Sequence, residues 1–218
     1  MTRMLTPKEQ RLAQTEALVI QVKERARHLY ESRQFLCTEA VVVAMNQDLG
    51  GGLTEDQALA VAAPFSFALG GSGCFCGALS GAVLASGLLL GKDRPYGHRK
   101  EMRETARQLH DVFKSSHGAT CCRVLSRKVR QNKKAHFQQC AGLTAEATEQ
   151  AVRLVLKKRP ELISIAGSGS LEKQPSQMGC LILRLVNYFK KGKLLHEQDD
   201  RCKGPVLSRA GSDGQRGR

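Results

Sequence analysis

The sequence predicts an all-α protein, a compact multi-helix bundle with a helical, partly disordered C-terminal extension. Three observations carry this prediction. Apolar residues recur at helical spacing in several separate stretches, two capping-box signatures mark helix starts, and no stretch of useful length alternates as a strand would. The 218-residue chain is 41% apolar, enough to bury a core without cross-links. Trp is absent and aromatics make up 5%, so the core must be built from Leu, Val, Ala and Gly at close packing.

In chain order, Thr6-Pro7-Lys8-Glu9 starts the first helix: Thr6 caps, Pro7 suits the first helical position and Glu9 reaches back. Leu12, Val19, Val22, Ala26 and Leu29 form its apolar stripe. A second helix begins near Cys37, runs through Ala40, Val41, Ala44 and Met45, and ends at Gly50-Gly51-Gly52. Thr54-Glu55-Asp56-Gln57 starts a third, which Pro64 breaks or bends. No residue from Gln57 to Gly91 is charged. Pro64 and Gly70-Gly71-Ser72-Gly73 divide that stretch, which reads as a pair of buried core helices and not as a membrane span. Gly73, Gly77, Gly81 and Ala85 fall at four-residue spacing, a small-residue groove that lets another backbone approach closely.

Met102, Ala106, Leu109 and Phe113 mark a fifth helix with a basic outer face, stopped by Gly118. A short helix follows from about Cys122, and Arg127 to Lys134 reads as a basic loop. Thr144 is expected to cap a further helix carrying Ala147, Ala151, Leu154 and Val155, ending before Pro160. Ile165 to Pro175 reads as a linker. Met178, Ile182, Leu185 and Phe189 give one more basic helix, and beyond about Gln198 the polar, Gly-rich chain is expected to be disordered. The organisation is thus a helical cysteine domain over 1–160 and a linker, helix and tail over 161–218.

The formal charge of +14 is unevenly placed: net −1 over 1–90, +11 over 91–160 and +4 over 161–218. A basic middle serves an acidic protein, nucleic acid or an anionic surface, or is simply a solvated face. Without interleaved aromatics, single-stranded nucleic acid is an unlikely partner. The N-terminal MTRMLTPKEQRL has no apolar export segment, so a reducing, cytoplasmic setting is expected.

In such a setting the eight cysteines read as metal ligands or redox thiols and not as a disulfide framework. Cys37, Cys76 and Cys122 each fall at an expected helix start, where free N–H groups and the helix dipole lower a thiol's pKa and favour an anionic cluster. Cys140 stands before the Thr144 cap and can join them. No C-x-x-C is present, so neither a zinc ribbon nor a c-type haem attachment is expected. A cysteine taken singly is more often a small core residue. His98, His110, His117 and His136 lack paired spacing and read as surface residues. No Gly-x-Ser-x-Gly elbow or phosphate loop occurs.

The order of cysteines carries a resemblance. Cys76-Gly77-Ala78-Leu79-Ser80-Gly81 is preceded by Cys37 in Cys-x-Glu-Ala-Val and followed by Phe113, by His117 to Leu125 with Cys121-Cys122, and by Cys140. This resembles the redox-active family named for its pattern, C_GCAxxG_C_C, over roughly residues 10–160, and is similar to the non-haem cysteine domain of split-Soret cytochrome c. The resemblance implies a helical domain with a redox role and a cluster held by Cys37, Cys76, Cys122 and Cys140. It also implies a homodimer, of which the residues themselves give no sign. Gly77 and Gly81 allow backbone to pack close to that site. Cys74 and Cys121 are extra thiols that could swap into the set or exchange disulfides. Cys180 and Cys202 lie beyond the resemblance and read as a core thiol and a tail thiol.

Three functions follow as expectations. One is electron transfer through an iron–sulfur cluster, foremost of the [2Fe–2S] kind, or a similar metal centre, with an unidentified redox partner. A second is metal-free thiol–disulfide exchange. The third, of another class, is a non-enzymatic binding module that uses the basic surface.

Overall fold

A computed structural model of the chain describes residues 6–165. The expected linker after Ile165, the last basic helix, the tail and Cys180 and Cys202 lie outside the described residues. Among those described, no strand occurs and the regular elements are helical.

The helix α1, Pro7–Glu31, starts as its sequence requires: Glu9 N–H donates to Thr6 Oγ1 (3.3 Å) and Thr6 N–H donates to Glu9 Oε2 (2.7 Å). Its buried face is Leu18, Val19, Val22, Ala26 and Leu29. Leu12, expected on that stripe, is instead 63% exposed, because α1 runs past the described core at its N-terminal end. The helix α2, Cys37–Asp48, is buried along most of its length. Asn46 pins the following glycine turn, donating from Nδ2 to Leu53 O (2.8 Å) and accepting from Leu53 N–H at Oδ1 (3.0 Å). Arg25 donates to the buried carboxylate of Asp48 (2.7 Å) and ties α1 to α2.

The helix α3, Glu55–Ala62, ends where Pro64 enters a 3₁₀ turn over Ala63–Phe65. A single turn follows, α4 over Ser66–Gly70, and it is wound left-handed at Phe67, Ala68 and Leu69. The expected first core helix of the uncharged stretch is therefore not formed as such: α3 buries only Ala58 and Ala62, and the chain then coils back at the surface. The second half of the stretch is the core helix α5, Gly77–Gly91, with Leu79, Ala82, Ala85, Leu89 and Leu90 buried.

The amphipathic helix α6, Arg99–His117, stops at Gly118, whose φ of 75° only glycine adopts without strain. The short α7, Cys122–Leu125, follows. The long α8, Lys133–Lys158, begins at Asn132, whose Oδ1 accepts from Ala135 N–H (3.0 Å). The expected start at Thr144 is thus corrected. Thr144 lies mid-helix, where its hydroxyl finds a partner in the same helix by donating to Cys140 O (2.8 Å). The last described element is α9, Leu162–Ile165.

At the centre lies α5, packed on α2, α6 and α8, while α1 closes the bundle against α8 and α2. The α2–α5 contact is set by two glycines. A Cβ at Gly81 would stand 2.8 Å from Thr38 O and 2.9 Å from Val41 Cβ, and one at Gly77 would collide with Cys37 Sγ and stand 2.9 Å from Thr38 Oγ1. In their absence Thr38 Oγ1 donates to Gly77 O (2.9 Å) across the interface. The expected groove is partly corrected. Gly77, Gly81 and Ala85 lie along α5, but Gly73 lies in the loop before it, next to the Arg123 side chain.

Opposite effects are expected from alanine at two glycines of α5. Gly81→Ala overpacks the α2–α5 contact and lowers stability by about 1–3 kcal/mol. Gly87→Ala, where an added Cβ meets nothing within 4 Å, raises stability by roughly 0.5–1 kcal/mol. Urea unfolding of the two variants beside the parent protein reads both signs.

Candidate functional site

Four cysteines from four separate segments edge one small cleft: Cys37, Cys76, Cys122 and Cys140, with Gly77, Leu125, Gln139 and Leu143 completing the wall. Cys37 is the first residue of α2, Cys76 immediately precedes α5, Cys122 opens α7, and Cys140 lies two turns into α8. Each segment is held by its own polar contacts. At Cys37, Glu39 accepts from Leu36 N–H (2.9 Å) with one oxygen and from Ser66 Oγ (3.2 Å) with the other, joining the start of α2 to α4. At Cys76, the backbone N–H donates to Thr120 O (2.8 Å).

The Cys76 and Cys122 segments are zipped together. Arg123 donates from its backbone N–H to Gly73 O (3.0 Å) and from its guanidinium to Ser72 O (2.7 Å). The Cys121 thiol donates to the same Gly73 carbonyl (3.2 Å). Cys121 is thereby turned to the loop, Cys74 is exposed, and neither lines the cleft. The six described cysteines are free.

Burial dominates the electrostatics. It pushes the Cys76 thiol up to about 12 and the Cys140 thiol up to about 11, and it raises Cys37 and Cys122 as well. The expectation that helix starts would lower these thiols is corrected: loss of water outweighs the N–H groups that face the sulfurs. Those groups are nevertheless there. Thr38 and Phe67 N–H act on Cys37, and Leu79 and Ala78 N–H act on Cys76, each favouring the thiolate. Unloaded, the cleft holds thiols at neutral pH. Any centre bound there must displace their protons.

Two features of the site had no marker in the sequence. The first is Tyr30 of α1, whose hydroxyl favours the Cys140 thiolate against the larger effect of burial. Its ring stacks on Phe137 with centroids 5.0 Å apart, and Arg33 covers the Phe137 ring. Tyr30 lies seven residues before the first cysteine of the set, and a tyrosine on a helix face reads as ordinary packing. The second is the left-handed turn that aims Phe67 N–H at Cys37. Phe67, Ala68 and Leu69 have φ of 53°, 57° and 60°, and each such residue costs on the order of 1–2 kcal/mol. The turn is closed by Gly71 N–H donating to Phe67 O (2.9 Å) and Ser72 Oγ donating to Ala68 O (2.7 Å). None of the three residue types favours that conformation, so only tertiary contacts reveal it. His117, expected at the surface, is mostly covered, with its ring 4.5 Å from that of Phe113.

The donor set bears on what the cleft can hold. Four sulfurs are soft ligands, and no carboxylate or imidazole lines the wall. Gln139 donates from Nε2 to Leu125 O (3.0 Å), which leaves its buried Oε1 unpartnered beside the cysteines. Among the described residues, no three His, Cys, Asp or Glu side chains are grouped as ligands of one metal ion. A single zinc would need its sulfurs gathered at about 2.3 Å from one point. The four thiols edge the cleft without that gathering.

Fold and site together define an all-helical domain with a four-thiol cleft between its central helices. The chain belongs to the family described as "Putative redox-active protein (C_GCAxxG_C_C)", whose model matches residues 35–154, just over half of the chain. The family pattern sets a cysteine directly before the alanine, whereas here Gly77 stands between Cys76 and Ala78. Gly77 is the residue whose missing side chain leaves room for the Cys37 sulfur. No curated protein and no solved structure matches the chain. Among the described residues no helix is long and apolar enough to cross a membrane.

The raised thiols have a stability consequence in the metal-free protein. From about pH 9, the ordinary thiol value, the unfolded chain releases protons that the folded cleft keeps. Stability is therefore expected to be unaffected below that pH and to fall as pH rises toward 11–12. Urea midpoints taken across this window check it, and the fall should be shallower in Cys140→Ala.

Proposed function

We propose that this redox-family protein carries electrons through an iron–sulfur cluster of the [2Fe–2S] kind, held by Cys37, Cys76, Cys122 and Cys140. The observation that carries this reading is the convergence of those four thiols, from four segments, on one cleft with no carboxylate or imidazole in its wall. Four thiolates are the usual complement of such a cluster, which when bound supplies a reversible one-electron step. The chain's own residues would do the rest. Burial of the sulfurs keeps water away, and the N–H groups of Thr38, Phe67, Ala78 and Leu79 offset negative charge on them. The Tyr30 hydroxyl favours negative charge on the Cys140 sulfur. Free thiols and a reduced centre suit a reducing compartment, and we place the protein in the cytoplasm.

Metal-free thiol–disulfide exchange is the second reading, favoured by the adjacent Cys121 and Cys122. It is the weaker one. The attacking species in such exchange is a thiolate, and burial works against its formation at Cys37, Cys76, Cys122 and Cys140.

Anaerobic reconstitution with ferrous iron and sulfide tests the proposal. The expected product is coloured and holds about two iron and two acid-labile sulfide per site. Cys76→Ser and Cys140→Ser should fail to load, while Cys74→Ser and Cys121→Ser should load as the parent does. A colourless product, or equal loading by all four variants, would refute the cluster assignment. In the loaded protein Tyr30→Phe is expected to lower the midpoint potential, by an amount on the order of 1 kcal/mol per electron, because a hydroxyl that favours negative charge on a ligand sulfur is lost. Protein-film voltammetry measures the shift.

A further inference from the structure

One wall of the thiol cleft is the segment Cys122 to Ser126, and the chain around it has an unusual charge pattern. From Val112 to Ala145 there is no acidic residue. Between Arg123 and Lys134 there are six cations: Arg123, Arg127, Lys128, Arg130, Lys133 and Lys134, all exposed. None of the six takes part in an ion pair among the described residues. The contrast with α8 further on is plain, since Arg153 is clamped by Glu16 and Glu149. Uncompensated charge on one patch destabilises a fold through self-repulsion, so a patch kept free of acids calls for a use.

In the same stretch Val124 is 56% exposed, between Arg123 and Arg127, while its neighbours Leu125 and Ser126 turn into the cleft. Val124 is thus an exposed apolar side chain within a segment rich in exposed cations, beside the Cys122 wall of the cleft. Small, polar contact areas with a charged rim are the pattern of transient electron-exchange encounters, in which rim charges raise the association rate. The cationic segment itself offers no aromatic ring for stacking on nucleic-acid bases. No aromatic residue lies between Cys121 and Ala135, and Phe137 beyond it is occupied by Tyr30 and Arg33.

We propose that the cationic segment Arg123 to Lys134, centred on Val124, is the docking surface for an acidic one-electron carrier protein. This rests on the electron-transfer reading given above. The reduced carrier loses one electron across the Cys122 wall, the site gains it, and no bond or atom is exchanged.

Two measurements on the full-length protein separate this proposal from the cluster assignment. The first needs no cluster: binding of labelled poly-L-glutamate, and of a single-stranded oligothymidylate, to metal-free protein by fluorescence anisotropy. Poly-L-glutamate should bind the more tightly, and its affinity should fall about ten-fold or more between roughly 50 and 300 mM salt. The variant R127E/K128E/R130E/K133E should lose that binding, and the control R103E/R107E, on the exposed face of α6, should keep most of it. Far-UV circular dichroism verifies that both variants are folded, and K128E alone should weaken binding if the quadruple change is not tolerated. The second measurement uses reconstituted protein and a reduced plant-type ferredoxin as acidic donor, followed by stopped flow. The quadruple variant should slow this reaction about ten-fold or more while leaving reduction by a small uncharged dye unchanged. Equal poly-L-glutamate binding by parent and quadruple variant, or tighter binding of the oligothymidylate, overturns the docking proposal whether or not a cluster forms. Failure to load iron and sulfide, with the poly-L-glutamate result intact, removes the electron-transfer reading and leaves the cationic docking surface for an acidic partner.

Discussion

The structure depends on how closely α5 approaches α2. With no side chain at Gly77 and Gly81, the two backbones come near enough for Thr38 Oγ1 to reach Gly77 O (2.9 Å). That approach does two things at once. It seals the centre of a core poor in aromatic residues, where small side chains must meet backbone to leave no voids. It also brings the first residue of α2, Cys37, against the residue that precedes α5, Cys76. Packing and site are therefore one feature, and a methyl group at Gly77 would disturb both.

The remaining two thiols come to the cleft by different routes. Cys122 is delivered by a loop-to-loop zip through Arg123, Ser72 and Gly73, with almost no regular structure of its own. Cys140 is delivered by a long helix, and its orientation is supported by Tyr30 and Phe137. Beside Cys37 lies a strained left-handed turn at Phe67, Ala68 and Leu69. Strain of that kind persists only where surrounding contacts over-determine it, and it gathers at sites that work.

Partial removal of the thiols from water sets the chemistry of the cleft. Helix starts and N–H groups are present as sequence logic anticipates, but desolvation is the larger influence and leaves the unloaded sulfurs protonated. The same desolvation strengthens any charge interaction made once protons are displaced. A cleft whose thiols are held above their ordinary pKa is poorly suited to rapid thiol exchange at neutral pH.

By itself the sequence determined the helices whose caps and periodicity are local. The Thr6–Glu9 and Thr54–Gln57 boxes, the break at Pro64 and the stop at Gly118 all form as their residue types require. It also marked the four cysteines through their order along the chain. Their meeting in one cleft, the turn at Phe67 to Leu69, the part of Tyr30 and the start of α8 at Asn132 were decided only by tertiary structure. The physical reason is the same in each case. Capping and periodicity act within a few residues, whereas convergence, burial and left-handed strain come from contacts between segments far apart in the chain, where packing outweighs local preference.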